Sequence, residues 1–241
     1  MNKGFVIMAQ NSATTDYQYC AGVLKDSILR HMPNSNVTIV TEGEPGLQTD
    51  WQVYDASPYE YTIKLEADMY IPQSIDFWWD ILKDRDIVVS STIRDYKGEI
   101  SNVRAYRKFI DDNRLPDVYN AITYFKKSEK AKQFFEIVRN VFTYWDDWKS
   151  VLRCDPNEIA TTDWAYSIAC HMLGVENTTM NFPSMSMVHM KQFINNLYTE
   201  DWTNELICEF TDPIKINTFP QQYPFHYYIK EFSKTLKEKY V

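Results

Sequence analysis

The 241-residue chain carries a formal charge of −8, from 25 Lys plus Arg against 33 Asp plus Glu, and 44% of its residues are hydrophobic. This length supports one substantial core, and the negative charge argues against a protein whose whole surface binds nucleic acid. The sequence contains no apolar run near the roughly 20 residues that span a bilayer, and its four cysteines show no CxxC spacing. We therefore expect a soluble, cytoplasmic protein.

The amino-terminal half alternates between strand-like and helix-like segments. The apolar run GFVIMAQ predicts a strand, residues 16–33 have helical spacing up to Pro33, and NVTIVTE predicts a second strand. This order indicates a parallel crossover, with a binding edge at the carboxyl ends of the strands. Further strands are predicted in WQVYDA, in residues 61–71 and in DIVVSST.

Two helices stand out in the second half. Residues 128–145 place apolar side chains on one stripe behind Ser128, which can cap the helix. The segment TTDWAYSIACHML begins behind a threonine cap and ends at Gly174, a typical C-cap. The remaining predictions are strands in TTMNF, SMSMVHM and IKINTF, followed by a helical tail, HYYIKEFSKTLKEKY.

The segment YTIKLEADMYIP places Glu66 and Asp68 two positions apart in a strand-like run, so that both carboxylates point to the same face. Paired carboxylates at the end of a strand suit Mg²⁺ or Mn²⁺, and such an ion can stabilise the charge on a diphosphate leaving group. The alternative is that both acids belong to the solvated face of an edge strand.

The order of four segments carries a family resemblance. Residues 5–42, then IKLEADMYIP, YNAITYFKKSEKAKQFFE and ATTDWAYSIACHMLGV, resemble the GT-A fold nucleotide-sugar glycosyltransferases, in particular the glycogenin-like group and its bacteriophage relatives. The resemblance runs over roughly residues 4–190. It implies a single α/β, Rossmann-like domain with a mixed central sheet flanked by helices. Residues 1–190 would form the nucleotide-sugar-binding and catalytic core, and residues 191–241 a C-terminal extension that completes the same domain.

The resemblance also implies the residues of a donor site. The family signature is D-x-D; here Asp68 matches the metal-binding aspartate, and Glu66 replaces the first acid with a side chain one methylene longer. Ala9, Asn11 and Tyr17 would line the nucleotide pocket, with Tyr17 near the base. Asn11 can hydrogen-bond a base edge and an aromatic ring can stack on it, although Tyr17 also fits a half-buried helix position.

Two histidines compete for the remaining metal position. The segment MVHMK supplies His189 and Lys191, and PFHYYIK supplies His226 and Lys230. In the family a histidine on the last core strand completes the metal site, and a following lysine meets the diphosphate. We expect His189 to bind the Mn²⁺ or Mg²⁺, because it follows directly after the strands that complete the sheet, and His226 to lie near the donor or acceptor.

Asp163 and Asn120 are the candidates on the sugar side. Asp163 begins a predicted helix, where the family has an acid that faces the donor sugar and acceptor; a simple capping role is the alternative. Asn120 matches the asparagine of an Asn-x-Gly segment and is a candidate sugar contact, although Ile122 replaces the glycine.

The sequence thus predicts a metal-dependent glycosyltransferase that moves a hexose or pentose from a nucleoside-diphosphate donor, with UDP-sugar expected, to a hydroxyl acceptor. The acceptor could be a glycan, a small molecule or, for a phage protein, a hydroxymethylated DNA base. Five cations lie within fifteen residues and could form a phosphate-binding edge for DNA; the alternative is an ordinary solvated face. They are Arg94, Lys97, Arg104, Arg107 and Lys108.

Two alternatives remain open. One is a degenerate GT-A protein that only binds a sugar nucleotide or a partner, which the changes at Glu66 and Ile122 motivate. The other is a nucleotidyltransferase, which is disfavoured because residues 9–16 contain no glycine-rich phosphate loop.

Overall fold

The structure is a computed structural model that describes residues 2–43, 47–102, 107–180 and 185–240. Its strands are β1 (Lys3–Met8), β2 (Val37–Val40), β3 (Tyr61–Glu66), β4 (Met69–Tyr70), β5 (Ile87–Ser90), β6 (Ile93–Arg94), β7 (Tyr119–Lys126), β8 (Met187–His189), β9 (Cys208–Glu209), β10 (Lys215–Ile216), β11 (Phe219–Pro220) and β12 (Phe225–His226). Its α-helices are α1 (Tyr17–His31), α2 (Val53–Ala56), α3 (Trp78–Leu82), α4 (Lys108–Asp112), α5 (Glu129–Thr143), α6 (Trp145–Val151), α7 (Thr162–Leu173), α8 (Val175–Thr178), α9 (Gln192–Asn195) and α10 (Phe232–Lys239).

The central sheet has the order β2-β1-β3-β7-β5. Strand β1 pairs in parallel with β2 and β3, whereas β7 runs antiparallel to both β3 and β5. The predicted mixed central sheet flanked by helices is therefore confirmed. Because β7 is reversed, its first residues lie at the same edge as the carboxyl ends of β1 and β3, and this edge carries the site.

A second sheet, β4-β12-β8-β6, continues from that edge. Strand β12 lies between β4, to which it is antiparallel, and β8, to which it is parallel. The register pairs His226 with Met69 on one side and with His189 on the other. A residue from the end of the chain is thereby placed next to Asp68.

Side-chain alternation in the central strands separates two cores. In β1, Phe5 and Ile7 pack into the cluster that contains the buried face of α1, whereas Val6 packs with α5 and α7. In β3, Leu65 belongs to the α1 side. Lys64 and Glu66 therefore face the other side, toward α7, because alternate residues of a strand point to opposite faces.

The two helices with the clearest sequence pattern form as expected. Ser128 accepts a hydrogen bond from the backbone nitrogen of Ala131 at the start of α5, and Thr161 does the same for Trp164 at the start of α7. Helix α7 ends at Gly174, whose φ of 88° lies in the region that favours glycine.

One strand prediction was wrong, and a second was correct only in part. The segment WQVYDA forms the end of a 3₁₀ helix (Leu47–Gln52) followed by α2, because Trp51 and Tyr54 pack against the α5 side of the core while β1 pairs directly with β3. The run 61–71 is interrupted by a turn at residues 67–68, so that Met69 can leave the central sheet and pair with β12.

The carboxyl-terminal predictions were correct only in part. IKINTF forms two short strands, β10 and β11, joined by a turn. The predicted helical tail begins only at Phe232, since His226 is committed to β12. In TTMNF, residues 178–180 are not a strand, and residues 181–182 lie outside the described residues.

Across the described ranges, we find no helix long and apolar enough to cross a membrane. The four cysteines, all of them within those ranges, are free thiols.

Candidate active site

A cavity of about 600 Å³ lies at the shared edge of the two sheets. It is lined by ten of the residues that the sequence singled out: Asn11, Tyr17, Glu66, Asp68, Asn120, Asp163, His189, Lys191, His226 and Lys230. Segments more than 200 residues apart in the chain therefore meet around one space. Ala9 is the exception, because it is fully buried in the core while its neighbours Met8 and Gln10 line the cavity.

The centre of the cavity is a group of two carboxylates and one imidazole. Glu66, Asp68 and His226 each present a ligand atom, and these atoms lie within 4.8 Å of one another. His226 Nε2 is 3.1 Å from Asp68 Oδ2 and 3.5 Å from Glu66 Oε2. The backbone fixes this approach, since the nitrogen of Tyr227 donates a hydrogen bond to the carbonyl of Asp68.

Lys230 adds a second positive group to Asp68. Its Nζ lies 2.8 Å from the same Oδ2 atom and also donates to the carbonyl of Tyr228. Burial by itself would raise the pKa of Asp68, but His226 and Lys230 outweigh burial and lower it. Conversely, burial lowers the pKa of His226, and the two carboxylates outweigh it and raise that pKa. Asp68 is thus held as a carboxylate between two cationic groups.

His189 lies behind His226 and away from the carboxylates. The two rings are 4.6 Å apart, and His189 is not part of the group of ligand atoms that Glu66, Asp68 and His226 form. Burial, followed by the charge of His226, lowers the pKa of His189, so its imidazole is neutral. His226, rather than the expected His189, therefore lies at the two carboxylates, because β12 rather than β8 pairs with the strand that follows Asp68.

Asn120 connects the acids on the two sides of the cavity. Its side-chain nitrogen donates to Glu66 Oε1 at 2.8 Å, and its backbone nitrogen donates to Asp163 Oδ1 at 3.0 Å. Arg107, with 3% of its side chain exposed, holds the other oxygen of Asp163 at 2.8 Å and lies 2.9 Å from Asp117. Both oxygens of Asp163 are therefore fixed while its side chain still borders the cavity.

Glu66 differs from Asp68 in its electrostatics. Burial raises the pKa of Glu66, and the charges of His226 and Lys64 only partly offset it. The longer glutamate side chain still brings its carboxylate to the group, with Oε1 on Asn120 and Oε2 toward His226.

The residues predicted for the nucleotide lie beside this group. Tyr17 lines the cavity at the start of α1, and burial raises the pKa of its hydroxyl. Asn11 also lines the cavity, but its Oδ1 accepts a hydrogen bond from the backbone nitrogen of Gln18. The amide of Asn11 therefore helps to hold the loop before α1, and its Nδ2 remains the group suited to meet a ligand.

Two lysines approach the same tyrosine ring on the cavity wall. Lys191 and Lys230 lie 5.1 Å and 4.8 Å from the ring centre of Tyr228. Tyr228 has a φ of 62°, which is a strained conformation for a bulky residue. Strain of this kind collects at functional sites, so Tyr228 belongs with the candidate residues that the sequence reading missed.

The sequence reading also missed Asp50 and Lys64, which line the cavity, and the positioning role of Arg107. Lys64 could have been identified from the sequence. It is the lone charged residue between Tyr61 and Glu66 in a strand-like run, and it shares a face with Glu66. For Asp50 and Arg107 we find no local pattern, because their partners are distant in the chain.

Among the described residues, the cations considered as a phosphate-binding edge do not form one continuous basic surface. Arg94 and Arg107 are buried, and Arg94 donates to Ser186 and to the carbonyl of Gly98. Lys97 and Lys108 are exposed, and Arg104 lies outside the described residues. The two buried arginines are engaged inside the protein and do not face a phosphate backbone.

The sequence matches no family model, and no match to a curated protein was found. Solved structures do resemble the chain. The bifunctional glycosyltransferase WbbM is 11% identical with a TM-score of 0.51, over 81% of this chain and 41% of the WbbM chain. The galactosyltransferase LgtC, solved with donor and acceptor sugar analogues, is 12% identical with a TM-score of 0.44, over 68% of this chain and 70% of LgtC. Mouse xyloside xylosyltransferase 1 is 9% identical with a TM-score of 0.43, over 76% of this chain and 85% of that one.

The mixed sheet and the likeness to WbbM define the class: the chain has a glycosyltransferase fold of the GT-A type. The chain spans less than half of WbbM. The carboxylate and imidazole group at the edge of the sheet could bind a metal ion.

Proposed function

We propose that this protein is a metal-dependent glycosyltransferase that moves a sugar from a nucleoside-diphosphate donor, a UDP-sugar in the first instance, to a hydroxyl acceptor. One observation carries the proposal: Glu66, Asp68 and His226 converge beside Lys230, and Asp163 borders the same cavity. The first four residues suit a metal and a phosphate, and Asp163 suits a sugar that gains positive charge.

The donor set fits Mn²⁺ or Mg²⁺. Two carboxylates and an imidazole nitrogen are ligands that Mn²⁺ accepts, and Mg²⁺ prefers the two carboxylates. His226 would release its proton when it binds the metal. We assign Glu66, Asp68 and His226 as the ligands and leave His189 as the residue that packs behind His226. A divalent ion in this position would stabilise the negative charge that develops on the diphosphate leaving group.

Different residues of the protein would then bind different parts of the donor. Lys230 and Lys191 border the cavity near Tyr228 and are suited to the diphosphate oxygens. Tyr17 and Asn11 are suited to the base and ribose end. Asn120 and Asp163 are suited to the sugar, because Arg107 and the Asn120 backbone hold the Asp163 carboxylate rigidly at the cavity wall.

Asp163 would stabilise the transition state. As the bond between the anomeric carbon and the diphosphate lengthens, positive charge develops on the sugar ring, and a fixed carboxylate beside it favours the transition state over the bound donor. The acceptor is a hydroxyl of a glycan or small molecule. A DNA acceptor has less support, since Arg94 and Arg107 are buried.

The test is donor turnover. The purified protein is incubated with UDP-glucose, UDP-galactose, UDP-N-acetylglucosamine and UDP-xylose, with Mn²⁺, with Mg²⁺ and with EDTA, and free UDP is measured. We expect metal-dependent release of UDP from at least one donor. A protein that only binds sugar nucleotides would leave every donor intact, and release of pyrophosphate from UTP and a sugar phosphate would indicate a nucleotidyltransferase.

A further inference from the structure

Lys64 is a buried cation in the middle of the central strand β3. Only 1% of its side chain is exposed. Its Nζ lies 2.9 Å from Asp50 Oδ2 and donates to the carbonyl oxygen of Asn120 at 3.0 Å. A buried ammonium group costs several kcal/mol unless it is paired, so Lys64 and Asp50 hold each other in place.

Asp50 uses only one of its two oxygens for this pair. Oδ2 receives Lys64 and also the hydroxyl of Tyr166, which donates to it at 2.6 Å. Among the described residues, the polar contacts of the Asp50 carboxylate all fall on Oδ2. The Asp50 side chain is 12% exposed and lines the cavity. A carboxylate that is oriented through one oxygen therefore has its second oxygen available to the cavity.

The partners of Asp50 place it on the sugar side of the site. Lys64 joins it to the backbone of Asn120, whose nitrogen binds Asp163. Tyr166 lies three residues after Asp163 on α7 and hence on the same side of that helix. Asp50 is thus linked on two independent paths to the two residues assigned to the sugar.

We propose that Asp50 is a donor-specificity residue whose Oδ1 accepts a hydrogen bond from a hydroxyl of the transferred sugar. The inference rests on the proposed function. A donor that lacks this hydroxyl leaves a charged acceptor without a partner, and such a mismatch discriminates strongly between substrates. A uronate carboxylate at the same position would be repelled. The site therefore selects neutral, hydroxyl-bearing sugars.

The test isolates the charge of Asp50. Because Asp50→Asn alone would leave Lys64 buried without its counter-ion, we compare Lys64→Met with Lys64→Met/Asp50→Asn, which differ only at residue 50. Asn120 keeps the hydroxyl of Thr123 on its carbonyl in both variants. The matched control is Lys126→Met against Lys126→Met/Asp86→Asn, an ion pair at 3.3 Å between two residues that do not line the cavity.

The readout is the affinity for UDP, UDP-glucose, UDP-galactose and UDP-glucuronate by calorimetry with Mn²⁺. In the Lys64→Met background, Asp50→Asn should lower the affinity for the preferred UDP-hexose, relative to UDP alone, by about tenfold or more. It should also reduce the discrimination against UDP-glucuronate. In the control pair, Asp86→Asn should change neither the ratio of UDP-hexose to UDP affinity nor the discrimination against UDP-glucuronate. If Lys64→Met and Lys64→Met/Asp50→Asn have the same ratio of UDP-hexose to UDP affinity, the inference is overturned while the proposed function stays intact. If the wild-type chain binds no nucleotide sugar, both are overturned.

A second measurement needs no variant. The wild-type protein is titrated with the 2-, 3-, 4- and 6-deoxy forms of its preferred UDP-hexose. We expect one deoxy donor to bind about tenfold or more weakly, and equal affinities across the series would also overturn the inference.

Discussion

Nε2 of His226 lies 3.1 Å from Oδ2 of Asp68, although the two residues are 158 positions apart in the sequence. Lys230 reaches the same oxygen at 2.8 Å. The turn that follows β3 and the insertion of β12 between β4 and β8 bring these groups together. From this arrangement the roles of single residues can be tested.

Asp68→Asn should reduce donor turnover by about two orders of magnitude or more, because it removes both a candidate metal ligand and the counter-charge of His226 and Lys230. UDP release with Mn²⁺ measures the effect. Asp76→Asn is the control, since Asp76 pairs with Lys3 away from the cavity and should retain normal turnover. Equal activity of Asp68→Asn and wild type would refute the metal assignment.

The two histidines should differ in how much Mn²⁺ the enzyme requires. His226→Ala removes a proposed ligand and should raise the Mn²⁺ concentration for half-maximal activity by about 100-fold or more, whereas His189→Ala removes a residue that packs behind it and should raise it by about tenfold or less. Metal titrations of both variants decide this. A larger shift in His189→Ala would return the ligand role to His189.

Asp163→Asn should lower kcat by about two orders of magnitude with little change in donor Kd, because its charge acts on the transition state. Its ion pair with Arg107 also contributes to stability, so a lower Tm is expected. Asp117→Asn is the matched control: it removes the other carboxylate of Arg107. Asp117→Asn should lower Tm and leave kcat near normal. If both variants lose activity in proportion to Tm, Asp163 has only a structural role.

Lys230→Met should weaken UDP and UDP-sugars equally, by about tenfold, because the ammonium group is assigned to the diphosphate that they share. Calorimetry with UDP and one UDP-sugar measures this. Lys234→Met, an exposed lysine at the start of α10, is the control and should bind both normally. An effect confined to UDP-sugars would instead place Lys230 on the sugar side. An effect confined to UDP-sugars is the one expected for Asp50. The variants at Lys230 and Asp50 therefore distinguish a contact to the diphosphate from a contact to the sugar.

Local sequence patterns determined much of the scaffold. Helix α5 has an apolar stripe, and α7 has a threonine cap at its start and Gly174 at its end. These signals depend only on residues a few positions apart. Glu66 and Asp68 also lie close together, but Asp68 is in the turn after β3, so the turn rather than strand alternation places it. The helices could be predicted because helical periodicity places residues three and four positions apart on one buried face.

The tertiary structure alone decided which distant groups meet. His189 follows an apolar run and His226 lies within an aromatic segment, and neither local pattern shows which one meets Asp68; the pairing of β12 with β4 brings His226 there. Likewise, Asp50 directly precedes the segment WQVYDA, which was predicted to be a strand, and the 3₁₀ helix that forms there instead places Asp50 against Lys64 and Tyr166. Strand pairing and packing of this kind depend on contacts between segments far apart in the chain, and local periodicity does not encode them.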